Sequence, residues 1–364
     1  MLLEGLQLPL TTPFYPDGRL NLPKLEHNTA RYSKTPIAGL VALSDSGEPT
    51  MLSEEETRLA LRSVADAAAI EKGLMAGVSR DSVTGTLELA EAAATLGYDA
   101  VLVKRPSVFQ VDARFQANVR GENTRALVTY FQAVADRSAL PVVLYSPAAI
   151  PGGPLQAEVV IELAGHPRVI GLVDGGGGRD RAGAIKDGTM RIKHDVNVTS
   201  VFAVVTGRMQ ARSEGAGGKL AGELIAADTL TGGGAALAVA PTKAAAKMRT
   251  KAVGFQILAG DTAGMLESLR GGAVGAMPAF AASAPQACYE VLAAWKDGDE
   301  GLALEKQVRL RGVAQRVEEE LGVAGIKFGC DLNGYFGGRP RLPLLPLTGE
   351  ERAEIEALMQ GLRN

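Results

Sequence analysis

The segment LPVVLYSP, residues 140–147, is a short apolar run between two prolines, a pattern typical of a buried β-strand. The segment QAEVVIELAGHP (156–167) follows it with apolar residues at helical spacing, and a second apolar run, RVIGLVD (168–174), comes next. A strand, a crossover helix and a second strand predict two parallel neighbours in one sheet.

The same alternation continues outward in both directions along the chain. We expect eight strands, near residues 5–10, 39–44, 74–78, 100–104, 141–145, 169–173, 254–259 and 273–278. Eight strands joined by crossover helices predict an α/β fold of the (β/α)8 class, a TIM barrel. Residues 1–174 would hold strands one to six, 253–285 the last two strands, and 286–364 a C-terminal helical extension.

Residues 175–252 interrupt this rhythm with the glycine runs GGGG, GAGG and TGGG. A structureless loop of that length is unusual inside a compact domain. The pattern therefore predicts an insertion that serves as a lid or a small subdomain. Because it follows strand six, we expect it to emerge at the active-site face.

Composition narrows the class of partner. A net charge of −3 with 22% charged residues gives no reason to expect nucleic acid or an anionic membrane as partner. No apolar run reaches the about 18 residues that a membrane span needs. Two cysteines, Cys288 and Cys330, favour a reducing cytoplasm. The scattered histidines His27, His166 and His194 indicate no metal site, and we predict no cofactor.

Active sites of such barrels lie at the C-terminal ends of the strands. After strand two come Ser44, Asp45, Ser46 and Gly47, whose hydroxyl and backbone N–H groups are suited to holding a substrate carboxylate. The alternative is an ordinary turn in which serine and aspartate cap a helix.

Two further strand ends carry reactive side chains. Tyr145 ends strand five and could relay protons, although a buried tyrosine often serves only a core hydrogen bond. Lys104 ends strand four, where burial would favour the neutral amine needed for imine formation; a strand-end lysine can also extend into solvent. Each lies two residues before a proline, Pro106 or Pro147, so we expect both to point into the barrel.

These segments together resemble the dihydrodipicolinate synthase / N-acetylneuraminate lyase family of class I aldolases. The segment LPLTTPFYPDG is similar to the family's opening, SDSGEPT to its hydroxyl-rich loop, and PVVLYSP to its Y-N-x-P tyrosine motif. The segment GIKFGCDLNGYFGGRPRLPLLPLTGEE is similar to its C-terminal signature. The resemblance covers roughly residues 1–174 and 253–364.

The resemblance implies an oligomeric enzyme, a dimer or tetramer, that holds a pyruvate-like 2-keto acid as a Schiff base on a lysine at the end of strand six. Tyr145 would be the proton-shuttling tyrosine, and the loop of Ser44, Asp45, Ser46 and Gly47 would bind the substrate carboxylate. Asp45 stands where the family usually has serine or threonine. Val173 stands where the family has the imine lysine.

Three functions are compatible with a valine in place of the imine lysine at position 173. The first is a lyase with a relocated lysine, for which Lys104 is the best candidate and Lys186, Lys193 and Lys219 are others. The second is a barrel that binds a small keto acid or sugar acid without imine chemistry, and the third is an inactive paralogue kept for assembly. Only the first forms a reducible covalent adduct. PAAIPGG lacks the arginine that usually follows the tyrosine motif in the family's synthases, which argues against dihydrodipicolinate synthesis itself.

Overall fold

Eight parallel strands close into a barrel in the computed structural model, which confirms the predicted TIM-barrel fold. The structure describes residues 1–109, 113–148, 153–199, 201, 203–212 and 248–362, with backbone alone for 113–123. The barrel strands are β1 Gly5–Pro9, β2 Gly39–Ala42, β3 Gly73–Gly77, β4 Ala100–Lys104, β5 Val142–Ser146, β6 Val169–Asp174, β9 Gln256–Ala259 and β10 Gly275–Ala276. Around the ring they follow the order β1-β10-β9-β6-β5-β4-β3-β2.

Alternation along each strand divides the core into two parts. One set of side chains fills the inside of the barrel, namely Val41, Met75, Leu102, Val143, Val173, Leu258 and Met277. The other set faces outward and packs against the surrounding helices in a larger buried cluster. Both sets are apolar, which explains why the strands read as continuous apolar runs rather than as alternating ones.

The crossover helices of the first six strands are α1 Leu22–Tyr32, α2 Glu54–Ala67, α3 Val83–Thr95, α4 Ala113–Arg137, α5 Ala157–Ala164 and α6 Arg179–Gly188. Helix α2 begins with a capping box, because Ser53 Oγ accepts from Glu56 N at 3.1 Å and Glu56 Oε2 accepts from Ser53 N at 3.0 Å. The sequence pattern SEEE marks this helix start.

The C-terminal part is helical, as predicted. Helix Met265–Arg270 connects β9 to β10. The C-terminal part contains helices Pro285–Lys296, Glu300–Ala314, Gly322–Leu332 and Gly349–Leu358. A π-helical stretch, Gln315–Glu320, joins two of them. Short π-helical stretches inside helices often accompany functional sites.

The described residues of the predicted insertion, called here the added segment, lie at the base of the barrel, opposite the C-terminal strand ends. Helix α6 is the crossover after β6, so the segment begins after that helix and not at residue 175. Its strands β7 His194–Val198 and β8 Arg249–Val253 pair in an antiparallel hairpin. Val198 packs on Leu2, just before β1.

The prediction that this segment emerges at the active-site face is therefore wrong for its described residues. A crossover helix returns the chain to the N-terminal ends of the strands, and a segment added after it starts there. Lys186 and Lys193 line a cavity at this base beside Leu2, so they do not reach the mouth. Lys219 and residues 213–247 lie outside the described residues.

Within the described ranges, no helix is long and apolar enough to cross a membrane. The same part of the chain holds no group of three or more histidine, cysteine, aspartate or glutamate side chains arranged to bind a metal ion.

Candidate active site

A cavity of about 530 Å³ opens at the C-terminal ends of β2 to β5. Its wall includes four of the residues singled out in the sequence, Ser44, Asp45, Lys104 and Tyr145. The remaining polar lining is Thr50, Glu54, Ser79, Arg80, Asp81, Arg105 and Ser107. The cavity is therefore polar and carries both signs of charge, as a site for a small charged ligand requires.

Strand register brings the key positions side by side. Lys104 pairs with Tyr145, and Tyr145 pairs with Val173, on three consecutive strands. Lys104 has the same parity as Leu102, and Tyr145 the same parity as Val143, whose side chains fill the barrel. Both side chains therefore point inward at the mouth.

Lys104 and Asp45 form the central contact of the cavity. Lys104 Nζ lies 2.6 Å from Asp45 Oδ1, with side chains 21% and 40% exposed. The predicted carboxylate loop thus supplies a charged partner for the lysine, a contact that spacing in the sequence does not indicate. A salt bridge requires the ammonium form of Lys104 in the ligand-free site.

Tyr145 is held as a neutral phenol. Burial raises the pKa of Tyr145 well above its ordinary value, and the neighbouring Asp45 charge raises it further. The Tyr145 side chain is hydrogen-bonded to Asp45 and remains partly accessible to solvent. A phenol with these neighbours keeps its proton and is suited to donate a hydrogen bond, because loss of the proton would place a second negative charge beside Asp45.

The loop after β2 contributes unequally to the cavity. Ser44 is buried in the cavity wall, and its Oγ has no hydrogen-bond partner among the described residues. Ser46 and Gly47 lie in a 3₁₀ turn outside the cavity lining. The carbonyl of Gly47 accepts from Thr12 Oγ1 at 2.6 Å. Ser44 is therefore the hydroxyl of this loop that is placed to bind a ligand.

Val173 contributes only packing. Its side chain is fully buried in the barrel interior beside Tyr145 and does not line the cavity. Strand β6 thus ends without an amine.

A buried ion pair fixes the shape of the loop. Leu43 and Glu48 flank it with left-handed φ angles of 59° and 53°, which non-glycine residues rarely adopt. The Glu48 carboxylate forms a fully buried ion pair with Lys327 and accepts from Arg341 N at 2.8 Å. The C-terminal region therefore clamps the strained loop, a role that its helical pattern did not reveal.

Glu318 reaches the mouth from the π-helical stretch. It accepts from Ala279 N at 3.2 Å and Phe280 N at 3.3 Å, just after β10, and from the hydroxyl of Thr262, which follows β9. Burial raises the pKa of Glu318 to about 7. Sequence reasoning missed this residue, because it is one of three consecutive glutamates in a helical pattern.

Comparisons with known proteins agree with this fold. The dihydrodipicolinate synthetase family matches residues 2–190 and 236–362, so the chain belongs to this family of aldolases and lyases. The unmatched residues 191–235 fall in the added segment.

Similar proteins include two full-length relatives. An L-threo-3-deoxy-hexylosonate aldolase from Hypocrea jecorina is 26% identical over 368 residues, covering 99% of this chain and 95% of that protein. A 4-hydroxy-tetrahydrodipicolinate synthase from Acidiphilium cryptum is 24% identical, covering 99% of both chains.

Solved structures share the fold. A putative dihydrodipicolinate synthetase from Pseudomonas aeruginosa superposes with a TM-score of 0.74 at 20% identity, covering 100% of both chains. YagE from E. coli, solved in complex with pyruvate, has a TM-score of 0.72 at 22% identity, covering 100% of this chain and 99% of that one.

Proposed function

We propose that this protein is an aldolase or lyase that acts on a 2-keto acid and that forms its imine on Lys104 of β4. The observation that carries the proposal is the position of this amine. Lys104 is the lysine in the described lining of the cavity, and it lies between Asp45 and Tyr145. Tyr145 has two strand neighbours. Lys104 on β4 offers a nucleophile on one side, and Val173 on β6 offers none on the other.

The neighbours of Lys104 suit each step of imine formation. Asp45 accepts a proton from the Lys104 ammonium, and the free amine then attacks the C2 carbonyl carbon of the keto acid. Tyr145 donates its proton to the carbonyl oxygen and takes up the proton that the attacking nitrogen loses, which gives the carbinolamine. Asp45 then returns its proton through Tyr145 to the carbinolamine hydroxyl, so water leaves and the iminium forms. The iminium withdraws electrons from the neighbouring carbon, where a carbon–carbon bond can then be broken or made.

The cavity also offers groups for the substrate carboxylate. Ser44 presents its Oγ from the buried wall, and Arg80 adds a positive charge held by Glu54 at 2.9 Å. A keto acid, including one derived from a sugar acid, matches a polar cavity of this size. The similarity to an L-threo-3-deoxy-hexylosonate aldolase and to a structure solved in complex with pyruvate supports this substrate class.

The test is intact-mass spectrometry after incubation with pyruvate and borohydride. We expect an adduct on the wild-type protein and none on Lys104→Ala or Lys104→Arg, of which the second retains the positive charge beside Asp45. Lys193→Ala, at the base of the barrel, is the matched control and should keep the adduct. Adduct formation on both Lys104 variants would refute the assignment of the lysine.

A second candidate is a carboxylate-binding barrel without imine chemistry. The ion pair between Lys104 and Asp45 favours it, because an ammonium attracts a carboxylate but does not attack a carbonyl. Calorimetric binding of pyruvate with no adduct, across a panel of keto acids, would support this candidate over the first.

A further inference from the structure

Glu318 lies on the side of the barrel mouth opposite Lys104. Its carboxylate contacts the backbone directly after β10, and β10 stands four places from β4 in the eight-stranded ring. The side chain lies deep in the protein, yet it remains partly accessible to solvent, as Tyr145 does. Glu318 does not line the cavity described above, but its carboxylate lies close enough to Tyr145 for its charge to raise the pKa of that phenol.

The groups that face Glu318 come from three elements. Asp261 and Thr262 follow β9, Tyr145 ends β5, and Cys288 lies on helix Pro285–Lys296. None of these groups is a cation. Burial and the like charge of Asp261 therefore raise the pKa of Glu318, while the hydrogen bond from Thr262 lowers it.

The reaction of a 2-keto acid imine needs a base that the other residues do not supply. Asp45 is paired with Lys104, and Tyr145 is a neutral phenol. A carboxyl group that titrates near neutral pH is well matched to accept a proton and to return it. Of Glu318 and Asp261, two described carboxyl groups at this side of the mouth whose pKa burial raises, Glu318 is the one whose charge acts on Tyr145.

We propose that Glu318 is the proton-accepting group of the reaction and acts across the mouth from Lys104. This inference rests on the proposed function. In the iminium formed on Lys104, the C3–H bond breaks and its proton goes to the Glu318 carboxylate. The electron pair forms the C2–C3 double bond of the enamine, and the iminium nitrogen becomes neutral. The reverse step returns the proton to C3.

Pyruvate alone tests this step, because enamine formation in D₂O exchanges the methyl protons of pyruvate for deuterium. Proton NMR gives the exchange rate as a function of pH. For the wild-type protein we expect the rate to fall about tenfold per pH unit below a midpoint near pH 7. Glu318→Gln should slow exchange by about 10²- to 10⁴-fold and remove this midpoint. It should still give the borohydride adduct, because Lys104 is unchanged.

Two variants displace the midpoint in opposite directions. Thr262→Val removes the hydrogen bond that stabilises the Glu318 carboxylate, so the midpoint moves to higher pH. Asp261→Asn removes a like charge, so the midpoint moves to lower pH. Glu320→Gln is the control, because this glutamate on the same π-helical stretch pairs with Arg316 at the surface and should leave the exchange rate unchanged.

The outcomes separate this inference from the proposed function. Glu318→Gln that retains the adduct and exchanges within about threefold of wild type, or midpoints that do not move in the other variants, would overturn the role of Glu318 alone. Absence of any adduct in the wild-type protein would overturn the proposed function, and the proton-accepting role with it.

Discussion

The Asp45 carboxylate is a negative charge next to both the Lys104 amine and the Tyr145 phenol. It lies 2.6 Å from the Lys104 amine and raises the pKa of Tyr145 through its charge and its hydrogen bond. Asp45 is therefore the residue that links the amine to the phenol. The carboxylate at position 45 and the lysine at position 104 are chemically complementary.

Replacement of Asp45 by asparagine should lower the pKa of Tyr145. The charge at position 45 disfavours the tyrosinate, so its removal makes ionisation easier, while burial keeps the pKa above the ordinary value. Titration of ¹³C-labelled tyrosine by NMR measures this change, with Tyr145→Phe to assign the resonance.

The matched control for this measurement is Asp81→Asn. Asp81 lines the same cavity, but its charge raises the pKa of Tyr130 instead. This variant should lower the pKa of Tyr130 and leave the Tyr145 resonance unchanged. Equal effects of both variants on Tyr145 would contradict the assignment of Asp45 as its partner.

The local sequence pattern explains which site residues could be predicted from the sequence and which could not. Lys104 and Tyr145 end apolar strands before prolines, so their inward direction follows from strand alternation. Glu318 and Lys327 lie in helical patterns, in which a charged residue normally indicates solvent. Their burial results from packing against the barrel mouth and the loop after β2, which no local pattern encodes.

At the scale of elements, the loop after β2 depends on the C-terminal helices. Helix Gly322–Leu332 carries Lys327, whose fully buried amine pairs with Glu48 and lies 4.5 Å from the centroid of the Phe14 ring. Arg341 donates from its backbone to Glu48 and from its guanidinium to Glu56 at the start of α2. The C-terminal region therefore contacts the same loop that carries Ser44 and Asp45.

Lys327→Met should lower the free energy of unfolding by about 3–5 kcal/mol. The substitution leaves the Glu48 carboxylate buried without its cation, and removal of one partner of a buried pair carries a cost of this size. Urea unfolding measures the change.

Two further variants test whether the loss of stability in Lys327→Met comes from the unpaired buried carboxylate. Lys306→Met breaks a partly exposed pair with Glu290 and should cost no more than about 1 kcal/mol. The double variant Glu48→Gln/Lys327→Met should recover part of the stability, because no buried charge is left unpaired. A single Lys327→Met variant as stable as wild type would show that the pair does not support the loop.

Elements with strong patterns were predicted well, and one with a weak pattern was misjudged. The barrel strands follow long apolar runs, and each lies within a few residues of its predicted position. Helix α6, RDRAGAIKDG, buries only Ala182 and Ile185 and follows a glycine run. Its sequence therefore reads as part of a loop, and the added segment was placed one helix too early.

At the scale of the whole molecule, the candidate active site and the described part of the added segment lie at opposite ends of the barrel. The mouth carries Lys104, Asp45 and Tyr145, while the described part of the added segment is attached at the base. Thr206 Oγ1 donates to Ile70 O at 2.7 Å, and Gly207 N donates to Asp99 Oδ1 at 2.6 Å. Arg208 donates to four carbonyls at and beyond the end of α2, those of Ala65, Ala68, Ala69 and Lys72.

Arg208→Ala should increase the mobility of the added segment at the base of the barrel without changing adduct formation at the mouth. Loss of four guanidinium contacts frees residues 203–212, so their backbone amides should exchange faster with deuterium in mass spectrometry. The rate of borohydride-trapped adduct formation with pyruvate should stay within about twofold of wild type. A loss of adduct formation would show that the segment acts on the mouth after all.

The clamp between Glu48 and the C-terminal region has a consequence for biosynthesis. Glu48 and Arg341 are 293 residues apart, so the loop is translated long before the groups that hold it. While the ribosome is still adding barrel strands, the nascent chain cannot settle Ser44 and Asp45 into their final places. The cavity thus takes its final shape only after residue 341 has been synthesised, and a translation product that stops before Arg341 would carry Lys104 without the clamp on the neighbouring loop.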